Sequence, residues 1–385
     1  MALRLNEEHQ LTGSGLGYQM SCYALMRALC NRSGFKYSAG KFELLALKNT
    51  FETLKIDEET ENSDNVGAAD IKDSVDAGEL VEFLDDEQFE DVLAKVKDDV
   101  PLFGYPTPIN SIDTTQITEL KKDFTYRGDI QDICKEWKKK NFGDTSLISM
   151  HVRRGDFKDI QSGMFLIDDD YYIDALKQLP DGLPVLIFTN DKDYILNNKL
   201  WQSDRFTLIT DLTNDNNMVD CEWTQMIDET IDESGMGRFY YKMALMLVSQ
   251  RTGVPVANIV NEMHPHGKKK IKNNWYNYSF DHCMMHLCDY HIMANSTYGL
   301  WGVEMSNSKK VVYPKYWMQG LHEDKEAKVC KDPESCRPGF RCNQDDSIAL
   351  DLDGFDQTAT IAGHFKNDTW IGLDNPDQRG FTIVK

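Results

Sequence analysis

Two adjacent arginines at the end of an apolar run are the residues in this chain best placed to do chemistry. Thr145-Ser-Leu-Ile-Ser-Met-His-Val152 reads as a buried strand, and it leads directly into Arg153-Arg-Gly-Asp156. Side chains alternate along a strand, so His151 and Arg153 point to one side and Arg154 to the other. An arginine suits a diphosphate because its planar fork gives parallel charge-assisted hydrogen bonds and stays protonated while a leaving group gathers negative charge. Gly155 lets the backbone approach a ligand, and Asp156 either holds an arginine or caps the following turn. The competing explanation is a structural Arg–Asp pair at a sheet edge. The composition tips the balance toward an anion clamp: 42 Lys and Arg stand against 63 Asp and Glu, a net charge of -21, so cations held together at a buried strand end are unusual here. The same charge repels nucleic acid and anionic membrane surfaces at long range, so neither is an expected partner.

These residues need a scaffold, and the chain supplies one. With 385 residues, 41% of them hydrophobic, it is long enough for two domains. From residue 144 a strand, a loop, a helix over Tyr171 to Leu179 and a second buried strand, Pro184-Val-Leu-Ile-Phe-Thr189, imply a parallel α/β sheet. The pattern continues with strands at Arg205 to Thr210, His291 to Ala294 and Lys310 to Tyr313, and with helices at about 239–250, from Phe280 to Cys288 and from Thr297. Such a sheet binds ligand beyond the carboxyl ends of its strands, where Arg153, Asn190 and Ser296 all fall. Upstream, Gly13 to Gly17 is a glycine-rich turn opening a helix over Tyr18 to Arg32, and residues 35–100 are acidic and helical in pattern, with a polar stretch near 59–73.

Five segments, in order and in spacing, resemble the GDP-fucose-dependent transferases, nearest the α1,2-fucosyltransferases and more distantly the α1,6- and protein O-fucosyltransferases. They are Gly15-Leu-Gly-Tyr-Gln-Met20, His151-Val-Arg-Arg-Gly-Asp-Phe157, Phe188-Thr-Asn-Asp191, the stretch from Asp281 through Ala294-Asn-Ser-Thr-Tyr-Gly-Leu-Trp301, and Val311-Val-Tyr-Pro-Lys-Tyr-Trp317. The resemblance implies a GT-B type α/β fold with two facing Rossmann-like domains. It implies that Arg153 grips the donor's β-phosphate, that His151 and Asp281 hold guanine, and that Ser296 and Thr297 bind phosphate at a helix start. Gly15, Gly17, Arg154 and Asp156 fall in the same donor-binding motifs. Tyr18 departs from the family, which has Asn there, and residues 211–275 are a longer insertion than relatives carry.

The expected organisation is an acceptor-side domain over 1–143, a GDP-fucose-binding Rossmann-like domain over 144–320 with the insertion at about 211–275, and a Cys-containing extension over 321–385. The expected activity is inverting, metal-independent transfer of fucose from GDP-fucose to a glycan, through an α1,2 linkage to a terminal hexose such as galactose. GDP-fucose is then a substrate, and no cofactor is expected. The alternatives are another GDP-sugar, a protein acceptor, or a non-catalytic carbohydrate-binding protein on a degenerate transferase fold. Arg153 takes the place of a metal, and the acidic run Asp168-Asp-Asp170 is accounted for by a helix cap. The general base stays open, with Asp159 and Asp168 as candidates by proximity. For Asp281, Ser296 and Thr297 a capping role is an equal or coexisting explanation. Cys330, Cys336 and Cys342 read as a local disulfide or loop cysteines, whereas Cys22, Cys30, Cys134 and Cys221 read as buried thiols. With no apolar run of membrane length, a soluble, cytoplasmic-type chain is expected; a lumenal enzyme cut free of its anchor would look the same.

Overall fold

The computed structural model of the protein describes residues 2–5, 15–40, 45–60, 71–78, 81–82, 89–98, 100–103, 114–158, 164–209, 274–315, 350–351, 369–373 and 383–384. The chain divides into two compact units, Met1–Trp137 with Asp211–Cys283, and Lys138–Thr210 with Met284–Lys385. Both contain parallel strands joined through helices, so the fold is α/β, the class expected from sequence. The expected helix at 239–250 and the cysteines Cys221, Cys330, Cys336 and Cys342 lie outside the described residues.

In the first unit, β1 (Ala2–Leu3), β2 (Lys36–Gly40) and β3 (Glu58–Thr60) form a parallel sheet in that order. β4 (Val81–Glu82) pairs in parallel with β5 (Leu102–Phe103), and the two sets meet where Leu5 bridges to Leu102. Between β1 and β2 runs α1 (Leu16–Ser33), buried on nearly every side because Met20, Tyr23, Ala24, Leu25 and Leu29 leave no wide polar face. It ends at Gly34, whose φ of 75° is the left-handed cap that glycine adopts without strain, its amide donating to the Cys30 carbonyl at 2.9 Å. Helices α2 (Leu45–Thr50), α3 (Ile71–Ala77), α4 (Phe89–Lys95), α5 (Thr114–Asp123) and α6 (Gly128–Phe142) follow. Asp123, buried at the end of α5, accepts from Arg27 Nε at 2.9 Å and from the Tyr23 hydroxyl at 3.1 Å, which ties α5 to α1. The reading of 35–100 as helical is thus incomplete, since β2, β3 and β4 lie within it. Short strands such as Glu58–Thr60 carry no apolar run, so their type is set by the sheet they join.

The second unit runs β6 (Ile148–Val152), α7 (Asp169–Lys177), β7 (Val185–Thr189), α8 (Lys192–Asn197) and β8 (Phe206–Leu208). The chain returns to it within α9 (Asn274–His286), then continues through β9 (Tyr290–Ile292), α10 (Thr297–Glu304) and β10 (Lys310–Pro314). A small parallel pair, β11 (Leu350–Asp351) with β13 (Ile383–Val384), brackets β12 (Trp370–Leu373). The main sheet has the order β12-β10-β9-β6-β7-β8 with every neighbouring pair parallel. From β6 the chain moves outward through β7 and β8, then resumes on the other side of β6 at β9 and moves outward again. This is the Rossmann order, and its direction reverses between β6 and β9.

The period of two gives the sheet unlike faces. Ile148, Met150, Val152, Ile187, Ile292 and Ala294 pack with Tyr171, Tyr172 and Ala175 of α7 in one core cluster. Burying each of the Ile, Val and Met side chains contributes about 1.5–3 kcal/mol. On the intervening positions of β6 and β9 lie Ser149, His151 and His291, all buried, and these meet α10 and the residues just after it. The apolar face holds the sheet together, and the polar face carries the candidate site.

Candidate anion-binding site

At the carboxyl end of β6, His151 is 5% exposed, and burial, with the adjacent Arg153 charge, pushes its pKa down to about 3, so the ring is neutral. Its ring lies 5.6 Å from that of Tyr298, and a Cβ added at Gly299 would sit 2.5 Å from His151 Nδ1. Glycine at 299 is therefore what lets the first turn of α10 close onto the strand end. Arg153 follows on the same side of β6, its guanidinium 5.2 Å from the centre of the Phe157 ring.

Across the reversal point, α10 begins at Ser296, which holds the N-cap position in extended conformation, φ -150° and ψ 132°. Its hydroxyl makes no capping hydrogen bond, and the first turn carries no acidic residue. The first amides of a helix have no intrahelical acceptor, and the helix dipole is positive there, so this start is suited to an anion. Asn295 beside it is fully buried and donates from Nδ2 to the Phe165 carbonyl at 2.9 Å, fixing the end of β9 to the segment before α7. Burial also closes the glycosylation sequon that Asn295 heads.

Arg154 points the other way. Its guanidinium stacks 3.7 Å over the Tyr194 ring and donates from Nε to Asp191 at 3.3 Å, and Lys158 reaches the same carboxylate at 2.7 Å. The expected partner was an acid such as Asp156. Asp191 takes that place because β6 and β7 are neighbours and their carboxyl-terminal loops lie side by side. Burial raises the Asp191 pKa, but hydrogen bonds and charge from Lys158, with help from Arg154, win and hold it below the usual carboxylate range. The Arg154 amide donates to Asn190 Oδ1 at 2.9 Å, and a Cβ at Gly155 would collide with the Asn190 amide. Gly155 thus makes room for Asn190, where the sequence suggested room for a ligand. The Tyr194 hydroxyl continues the network by bonding Asp169, which also accepts from Asn198 Nδ2 at 2.8 Å. Sequence reasoning has no signal for Tyr194 or for Asp191 as a clamp, because both act through strand pairing.

The acidic run preceding α7 is in structural use. Asp168 is the N-cap and accepts from the Tyr171 amide at 3.2 Å; burial, then the neighbouring Asp170 and Asp169, hold its pKa above the ordinary value. Among the described residues no group of three His, Cys, Asp or Glu side chains is arranged to hold a metal. Asp159 and the Asp156 side chain lie outside the described residues. At the reversal point the end of β6 therefore meets the first turn of α10 through the contacts of His151 with Tyr298 and Gly299, with Arg153 next along β6, Ser296 and Thr297 at the helix start, and Arg154 and Asp168 in structural bonds.

The remaining candidates sit in the first unit. Gly15 is the N-cap of α1, its carbonyl accepting from the Gln19 amide at 3.1 Å, and Gly17 is buried in the first turn. Tyr18 hydrogen-bonds Cys22 within the same helix. Asp281 is no helix cap, because α9 begins at Asn274 and the aspartate lies inside it. Its Oδ1 is sealed from solvent with no hydrogen-bond partner among the described residues, and burial pushes its pKa up to about 7. Cys22, Cys30 and Cys134 are buried free thiols, as are Cys283 and Cys288.

No described helix is long and apolar enough to cross a membrane. No protein-family model matches the chain, and no curated protein sequence matches it. Among solved structures, the chain is similar to the NodZ alpha-1,6-fucosyltransferase soaked with GDP-fucose, at 9% identity and a TM-score of 0.42 over 79% of this chain and 92% of that one. It is likewise similar to the fucosyltransferase NodZ from Bradyrhizobium, at 10% identity and a TM-score of 0.41 over 78% and 91%. At such scores the likeness carries no functional argument, and the fold class rests on the strand order and pairing of the chain itself.

Proposed function

We propose that the protein is an inverting glycosyltransferase that moves fucose from GDP-fucose to a glycan hydroxyl, its motifs pointing to an α1,2 linkage on a terminal hexose such as galactose. The observation that carries this reading is the pairing, at the β6–β9 reversal, of the arginine strand end with the acid-free start of α10. Three described helices start at this end of the sheet, and two of them are acidic there: α8 has Asp191 at its cap and Asp193 in its first turn. The start of α7 is closed by Asp168, Asp169 and Asp170, three carboxylates in the cap and first turn. The start of α10 is open, so a diphosphate belongs there, opposite Arg153. A dinucleotide held by the turn after β6 is disfavoured for the same reason.

In the reaction, the acceptor oxygen attacks the anomeric carbon from the face opposite GDP, through an oxocarbenium-like state. Negative charge builds on the departing diphosphate, and Arg153 with the α10 amides and the Ser296 and Thr297 hydroxyls is positioned to hold it. This arrangement does without a divalent ion. Neutral His151 and the Asp281 carboxylate are assigned to guanine, the carboxylate being a natural acceptor for the ring N1-H and the exocyclic amine. Asp168, Asp169 and Asp191 are each engaged in structural bonds, which favours Asp159 over Asp168 as the base that takes the acceptor's proton.

The test is calorimetric titration with GDP-fucose, together with transfer of labelled fucose to a glycan panel in the presence of EDTA. Losing one charged bidentate contact in Arg153→Ala is expected to weaken binding by about tenfold or more, and transfer by the unaltered protein is expected to persist in EDTA. Absence of GDP binding by the unaltered protein would overturn the reading.

A further inference from the structure

On the polar face of the sheet, a second histidine does for the end of α10 what His151 does for its start. His291, on β9, is fully buried and lies in register opposite Ser149 of β6. Its Nδ1 is 2.7 Å from the Ser149 hydroxyl, and its Nε2 is 3.0 Å from the hydroxyl of Ser306, just past the end of α10. Ser306 in turn donates to the Val303 carbonyl at 2.6 Å and bonds Ser308. Burial, with the charge of His286, pushes the His291 pKa down to about 3, so the ring is neutral, with one nitrogen donating and the other accepting. With its proton on the Val303 carbonyl, Ser306 accepts from Nε2–H, and the Ser149 hydroxyl donates to Nδ1, which satisfies the ring completely. Ser149 and His291 thus share the polar face of the strand pair with His151, opposite the apolar face formed by Ile148, Met150, Val152 and Ile292.

We propose that His291 is a positioning residue for the anion site: by tying Ser149 to Ser306 it fixes where α10 lies along β6, and hence where the Ser296–Thr297 start stands relative to Arg153. The leverage is geometric. From Thr297 to Ser306 the chain rises by about 14 Å at the helical 1.5 Å per residue, and α10 moves as a rigid rod between its two histidine contacts. At its start a side chain as small as a methyl at Gly299 would run into His151, so α10 lies close against the strand there and the remaining freedom is sliding along it. The bond to Ser306 removes that freedom. Misplacement of a binding group by an ångström is enough to cost affinity heavily.

This inference rests on α10 being the diphosphate site, and its test separates the two. GDP affinity by calorimetry and melting temperature are measured for His291→Gln, His291→Asn and Ser306→Ala. Gln places an amide nitrogen near the position of Nε2 and keeps the bond to Ser306, whereas Asn places one near Nδ1 and keeps only the bond to Ser149. Positioning through Ser306 predicts that Gln retains GDP affinity within about twofold, while Asn and Ser306→Ala each lose about tenfold, with comparable melting temperatures for Gln and Asn. A merely structural histidine predicts that affinity follows stability, with no preference for Gln. Equal GDP affinity in folded Ser306→Ala and the unaltered protein overturns the inference even if both His291 variants fail to fold. Failure of the unaltered protein to bind GDP sinks the diphosphate reading instead.

Discussion

Inside α9, Asp281 has its Oδ1 sealed from water, and burial alone pushes its pKa up to about 7 from an ordinary 3.8. A carboxylate that accepts hydrogen bonds from guanine must be ionised, so GDP affinity is expected to rise between about pH 6 and pH 8 and to level off above. Asp281→Asn should both weaken GDP binding and flatten that profile; calorimetry across this range checks it, and an unchanged profile would remove Asp281 from the guanine site. Stability runs the other way. The folded-state pKa is raised above the unfolded value, so the protonated carboxyl's advantage is complete below about pH 4 and is lost as pH rises through about 7. Asp281→Asn is therefore expected to raise the melting temperature by about 2–4 °C at pH 8 and to leave it nearly unchanged at pH 4. The identity of Asp281 as a site candidate is legible in the sequence through its motif, but its environment is not. The same holds for Arg154, whose partner Asp191 lies 37 positions away and is reached only because β6 pairs with β7. His291 reads in sequence as one polar residue in a short apolar strand, and its partners Ser149 and Ser306 come from two other segments.

Two helix starts face the carboxyl ends of the central strands, and their sequences divide the labour between them. α7 opens on Asp168-Asp-Asp170, which supplies its own cap and complements its dipole with negative charge. α10 opens on Ser296 with no side-chain cap and no acid, so its dipole is not complemented by its own first turn, as the proposed diphosphate site requires. Asp168→Ala tests this division. Removing the cap should cost about 1 kcal/mol, seen as a lower melting temperature, while turnover with GDP-fucose stays within about twofold of the unaltered protein; a loss of about a hundredfold or more in kcat at unchanged melting temperature would make Asp168 the general base instead. The strands of the second unit are legible in the sequence because β6, β7 and β10 are five-residue runs buried on both faces. Those of the first unit are not: β3 is Glu58–Thr60 and β4 is Val81–Glu82, too short and too polar to show a period. For a related reason α9 begins at Asn274, six residues before the Phe280 start that the sequence pattern predicts. Asn274 to Ser279 is largely polar and aromatic, and the apolar helical pattern becomes visible only at Phe280.

At the scale of the molecule, the chain passes between its units three times, after Trp137 inside α6, after Thr210, and after Cys283 inside α9; the first and last passages lie within helices, so no Pro- or Gly-rich linker marks them in the sequence. Charge is the property that acts over the same distances. A net charge of -21 sets up a field that repels an anion such as the proposed donor, while an arginine such as Arg153 attracts one only at short range. The two effects respond differently to salt. The screening length falls from about 30 Å at 0.01 M to about 8 Å at 0.15 M ionic strength, which removes the long-range repulsion but reaches a half-buried strand end much less. Association of GDP-fucose, followed by stopped-flow, is therefore expected to speed up by a few-fold over that interval, with the dissociation rate nearly constant. This is the reverse of the usual pattern for an anion meeting an arginine site. A fall in association rate with added salt would mean that local cations focus the field at the β6–β9 reversal strongly enough to overcome the net charge, and that donor capture is steered.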